Sequence, residues 1–181
     1  MNTYLRVDVK NLKKYSVHVG SGCSHPRKCH KQRNVAKVTP HPLYHMDCKK
    51  TNDIAIIEFE NDISESEATP ICTANSTTEV QKILQAAGQG RDRTLKGDQS
   101  AKGMQVITVG FEYVSGSQIG TRNATAGIGF GDSGGPLFQF NKNGQAVLLG
   151  PCSMIVYYYR EKSVCPDSKK LSAAELRKCK S

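Results

Sequence analysis

The sequence predicts an all-β chain in two lobes, and three observations carry that prediction. Short runs rich in Val, Ile, Tyr and Phe recur along the chain, separated by Gly, Asn and Ser turns. A polar stretch over residues 64–79, crossing Pro70, divides those runs into an earlier and a later group. The helix signal comes at the end, where Ser172 and Glu175 stand at capping-box spacing in a short basic segment.

Taken in order, residues 1–63 hold runs at Tyr15–Val19, Val35–Val38 and Ile54–Phe59. The last is apolar and β-branched, which predicts a buried strand. Residues 64–79 read as the connection between lobes. The second lobe, 80–165, has runs at Val80–Leu84, Gln105–Val114, Pro136–Phe140, Val147–Leu149 and Met154–Tyr159, with a charged loop from Arg91 to Lys102. Residues 166–181 form the helical tail. This grouping is consistent with two antiparallel barrels, and no internal repeat is visible.

Composition bounds the function classes. At 181 residues and 38% apolar content the chain can bury a real core. No run approaches the length of a membrane span, so a soluble chain is expected. The net charge of +9 comes from 25 basic against 16 acidic residues, dispersed along the chain with local clusters at Lys10–Lys14, Arg27–Arg33 and Lys169–Lys180. No aromatic pattern interleaves with them, so a solvated surface is the reading, with neither nucleic acid nor membrane as partner. Seven cysteines favour an oxidising compartment, and the odd count leaves at least one without an internal mate. The sequons Asn75-Ser76-Thr77 and Asn123-Ala124-Thr125 lean the same way. The set Cys23, Cys29, His41 and His45 comes near a zinc-finger spacing, yet Pro40 and Pro42 forbid the helix those histidines would need. No metal and no cofactor is expected.

The densest chemistry lies in Gly131-Asp132-Ser133-Gly134-Gly135-Pro136-Leu137. A serine becomes a nucleophile when a sharp turn holds it beside amide donors for a developing oxyanion. Gly131 can adopt backbone angles closed to other residues, which lets its N–H and that of Ser133 face one point. This turn resembles the nucleophile turn of the chymotrypsin/trypsin-like serine endopeptidases. Asn52-Asp53-Ile54-Ala55-Ile56-Ile57 is similar to the segment that carries the triad acid in that family.

The resemblance covers roughly residues 15 to 160 and implies two Greek-key barrels, the first incomplete, with a short C-terminal helix. It implies Ser133 as nucleophile, Asp53 as a dry, oriented acid, Gly131 and Ser133 as oxyanion donors, and Asp132 as the structural acid that pairs with a freed amino terminus. Without that partner a buried Asp132 would be costly. Gly88-Gln89-Gly90 resembles the family's Gly-Trp-Gly, and Cys72 the cysteine joining the linker to a distant part of the chain. The substrate pocket maps onto Gly127, Ile128, Ser153, Met154 and Ile155. No acid floors it, so small or apolar side chains are the expected guests. Protein or peptide substrates and protein inhibitors are the implied partners, and secretion the implied destination.

The base does not follow. Around position 8, where the family places its histidine, Tyr4–Lys10 has none. His18 sits in an alternating strand, His25 and His30 in a basic cysteine-flanked loop, and His41 and His45 in a loop where the family's histidines are not catalytic. Met1-Asn2-Thr3-Tyr4 opens no apolar signal run and no activation-type sequence. The expectation is a divergent member whose histidine segment precedes this chain, inactive as it stands. The alternative is a pseudoprotease acting as a secreted protein-binding module.

Overall fold

The computed structural model describes residues 11–20, 32–44, 52–91, 95, 103–123 and 125–153. It is built almost wholly of strands, with a single 3-10 turn at Leu12–Lys14 among the described residues. Two separate two-stranded sheets come first: β1 (Val17–His18) pairs with β2 (Gln32–Arg33), and β3 (Val35–Pro40) with β4 (Ala55–Phe59), both antiparallel. A six-stranded sheet gathers β5 (Cys72–Thr73), from the segment expected to be the connection, with β6 (Ile83–Gly88), β7 (Gln105–Ser115), β8 (Gln118–Arg122), β9 (Pro136–Phe140) and β10 (Ala146–Pro151), in the order β5-β10-β9-β6-β7-β8.

Four of those strands form a Greek key. The spatial order β9-β6-β7-β8 puts the fourth strand beside the first, with every pairing antiparallel. β9 continues into β10 through a hairpin whose turn glycine, Gly144, takes φ +75°. The exception to the antiparallel pattern is the two-residue contact of β5 with β10, which is parallel. Among the described residues the sheets are not closed into a barrel, and β5 and β8 are the edges of the larger one.

The core sits under this sheet. β6 turns Leu84 and Ala86 inward and Ile83 outward, the period of two expected of a half-buried strand. Leu84 stands opposite Val109 and Ala86 opposite Leu137, and Cys152 completes the buried cluster. One polar side chain, Gln139, is buried with them. It is satisfied at both ends, accepting from Gln81 N at 2.9 Å and donating to Glu79 O at 2.9 Å. That clamp draws residues 79–81 onto β9 and explains why β6 starts three residues later than its apolar run.

Two further departures have physical causes. β8 shows almost no hydrophobic signal, yet Gly116 at φ +57° allows the two-residue turn that folds it onto β7. There the Tyr113 ring packs over Gly120, where a Cβ would come within 2.7 Å of Tyr113 Cδ1. β4, predicted to be buried, is exposed instead, with Ile54 at 47%, Ile56 at 64% and Ile57 at 41% of full exposure. β3 is its strand partner in a sheet of two, so neither face of β4 is covered by the described residues. The predicted strand Met154–Tyr159 and the helical tail lie outside the described residues.

Candidate active site

The turn Gly131–Leu137 is shaped by its glycines. Gly131 takes φ +97° and Gly134 φ +86°, angles that strain any residue with a Cβ. Asp132 N donates to Gly129 O at 3.2 Å and Gly135 N to Asp132 O at 2.9 Å, closing two tight turns around Ser133. Ser133 is exposed. Neither its N–H nor that of Gly131 has a hydrogen-bond partner among the described residues.

Two backbone bonds tie the turn to the chain after β10. Gly134 N donates to Cys152 O and Cys152 N to Gly135 O, each at 2.7 Å. Ser153, the next residue, then reaches back to the segment before β4. Its Oγ donates to Asp53 Oδ2 at 2.6 Å, a short, charge-assisted bond between residues 100 apart in sequence. Asp53 is thereby bonded to the residue that follows Cys152, which is itself tied to the Gly134–Gly135 part of the turn.

Asp53 has a second hydroxyl donor in Tyr44, from the loop between β3 and β4. The Tyr44 hydroxyl ionises above the usual 10.0, through burial first and then through the charge and hydrogen bond of Asp53. Its donor proton is therefore in place at every pH below the ordinary tyrosine range and is lost as pH rises through the raised value. Asp53 itself is exposed, which corrects the expectation of a dry acid, because the strand it enters is uncovered. Tyr44 carried no signal beyond its place in a familiar loop. In a ¹³Cζ-tyrosine titration Tyr44 should ionise above the ordinary range, and move part of the way down in Asp53→Asn, since burial, the larger cause, remains. An unmoved Tyr44 resonance in that variant would break the pairing.

Half-buried Asp132 has two peptide N–H partners, and among the described residues no cation pairs with it. Gly90 N donates to its Oδ1 at 2.6 Å and Gly129 N to its Oδ2 at 2.7 Å. The carboxylate lies so close to the chain that a Cβ at Gly90 would stand 2.6 Å from Oδ1. This is the physical demand behind Gly88-Gln89-Gly90, and nothing in the composition of a peptide N–H announces it.

A cavity of about 280 Å³ opens on the Asp132 side of the turn, walled by Gly88, Gly90, Gly127, Ile128, Asp132 and Cys152 among others. Burial pushes the Cys152 thiol up to about 11, with the Asp132 charge adding to it, so the thiol stays neutral and is no nucleophile. Of the expected pocket residues, Gly127 and Ile128 face this cavity, whereas Ser153 is turned to Asp53. Met154 and Ile155 lie outside the described residues. Phe130, which precedes Gly131, is 66% exposed with the Arg91 guanidinium 5.6 Å from its ring centre.

Of the histidines, His18 contacts Ser16 Oγ at 3.1 Å, and His41 Nδ1 accepts from Leu43 N at 3.2 Å within its own turn. His25, His30 and His45 lie outside the described residues, as do Cys23, Cys29, Cys48, Cys165 and Cys179. Cys72 is exposed with a free thiol.

A family model described as Trypsin matches residues 8–164. No curated relative matches the chain.

Proposed function

Because the chain belongs to the trypsin family, we propose that it is a serine-type endopeptidase domain, built to cut peptide bonds by acyl transfer through Ser133. Asp53 is the triad acid, Gly131 N and Ser133 N bind the oxyanion, and Asp132 is the structural acid beneath the turn. The observation that carries this reading is the Ser153–Asp53 hydrogen bond. It joins the acid of one lobe to the segment bonded to the nucleophile turn of the other. Protein or peptide substrates follow, with small or apolar side chains favoured over basic ones at the uncharged Gly127 wall. Secretion through an oxidising compartment is part of the same reading.

Among the described residues Asp53 meets two hydroxyls where a triad acid meets an imidazole. The chain as it stands is therefore proposed to be inactive for want of a base. The same observation favours the second reading, a secreted module that keeps the scaffold for binding protein. A fluorophosphonate probe followed by peptide mapping tests this. The expected result is no adduct on the native chain and none on Ser133→Ala. An adduct at Ser133 overturns the inactivity, and an adduct at another residue overturns the choice of nucleophile.

A further inference from the structure

The tripeptides Asn75-Ser76-Thr77 and Asn123-Ala124-Thr125 are equivalent as sequence but differ in the structure at one nitrogen. At Asn75 the amide oxygen accepts three bonds, from Thr77 N at 3.1 Å, Thr77 Oγ1 at 2.8 Å and Thr78 Oγ1 at 2.9 Å. The backbone closes the same turn, Thr78 N donating to Asn75 O at 3.0 Å. Asn75 is exposed, and its Nδ2 has no partner among the described residues.

Asn123 uses its oxygen similarly, accepting from Thr125 N at 2.7 Å, Thr125 Oγ1 at 3.1 Å and Ala126 N at 3.0 Å. Its Nδ2, however, donates to Thr108 O of β7 at 2.5 Å. β8 pairs with β7 as far as Gly110 opposite Arg122, so the Asn123 amide extends the ladder past the end of the strand. A sugar on that nitrogen would have to keep its remaining N–H aimed at Thr108 from the sheet edge, or leave the carbonyl unpaired.

We propose that Asn75, and not Asn123, is the N-glycan acceptor of this chain. The assignment rests on the secretory reading above, since the modification needs a luminal transferase and an oligosaccharide carried on a polyprenyl diphosphate. Asn75 Nδ2 attacks the anomeric carbon of that donor. The C–N bond forms, the bond from carbon to the diphosphate oxygen breaks, the lipid diphosphate leaves, and the amide proton passes to a base of the transferase. Three donors on the amide oxygen stabilise charge there and so acidify the Nδ2–H, which lets the transferase base take that proton as the nitrogen attacks, and the sugar then extends into solvent.

The test expresses the full chain behind a cleavable secretory leader in eukaryotic cells. The leader guarantees entry, so acceptor choice is read separately from native localisation. One peptide N-glycosidase-sensitive glycan is expected, absent from Asn75→Gln and from Thr77→Ala and retained in Asn123→Gln. A glycan lost with Asn123→Gln, two glycans, or none on the native chain would each overturn the assignment. Failure of the secretory reading alone would appear as an unglycosylated chain in its own cells, with the leader-directed result unchanged.

Discussion

Replacing Asp132 with asparagine should lower stability by about 3 kcal/mol, among the largest effects expected of any isosteric change in this chain. The carboxylate accepts one peptide N–H at each oxygen, 2.6 Å from Gly90 and 2.7 Å from Gly129. Bonds to a charged acceptor are worth about 1.5–3 kcal/mol each, and a buried donor left unpaired adds its own desolvation cost. Asparagine keeps one acceptor and points an NH₂ at the other peptide N–H, donor against donor. Rotating the amide merely exchanges which peptide loses its partner. Asp132→Ala should cost at least as much, because it strands both donors and enlarges the cavity beneath the turn. Urea unfolding measures the loss. Hydrogen exchange at the Gly90 and Gly129 amides separates a local from a global effect. A change below about 1 kcal/mol in Asp132→Asn would mean that the two bonds are not the anchor of the turn.

That anchor shows what the sequence could and could not reveal. The sharp turn around Ser133 was legible because its geometry demands glycine: the positive φ of Gly131 and Gly134 exclude most alternatives. Strand β9 was legible to the residue, since apolar positions follow directly on Pro136. The partners of Asp132 were not, because they are backbone groups that every residue carries, and the pair Gly88 and Gly90 marks only the close approach. Ser153 could be aligned, but its reach to Asp53 depends on how two sheets meet, which no local pattern encodes. β4 misled for a related reason. An apolar β-branched run reads as buried whether or not a neighbour covers it, and here Ile54, Ile56 and Ile57 stay open among the described residues. Strand β8 failed in the other direction, being short of apolar residues and held by backbone pairing to β7.

The second large effect concerns the base, and it appears as a missing dependence. In a complete triad, removing the serine or the histidine alone costs about 10⁶-fold in kcat, close to the cost of removing all three members. The members act as a unit, since a serine hydroxyl with no base to take its proton is a poor nucleophile at neutral pH. In this chain Asp53 is held by Ser153 and Tyr44, and His41 is engaged with its own turn. If no imidazole reaches Ser133, the residual rate comes from binding and the oxyanion donors, about 10³–10⁴-fold over water. Ser133→Ala should then change hydrolysis of an activated apolar ester by less than about threefold, because the step it removes is already silent. A fall of several orders of magnitude in Ser133→Ala would show instead that a base does serve Ser133. Replacing His18, His25, His30, His41 and His45 singly would then identify it, because loss of the true base must cost the same factor as Ser133→Ala.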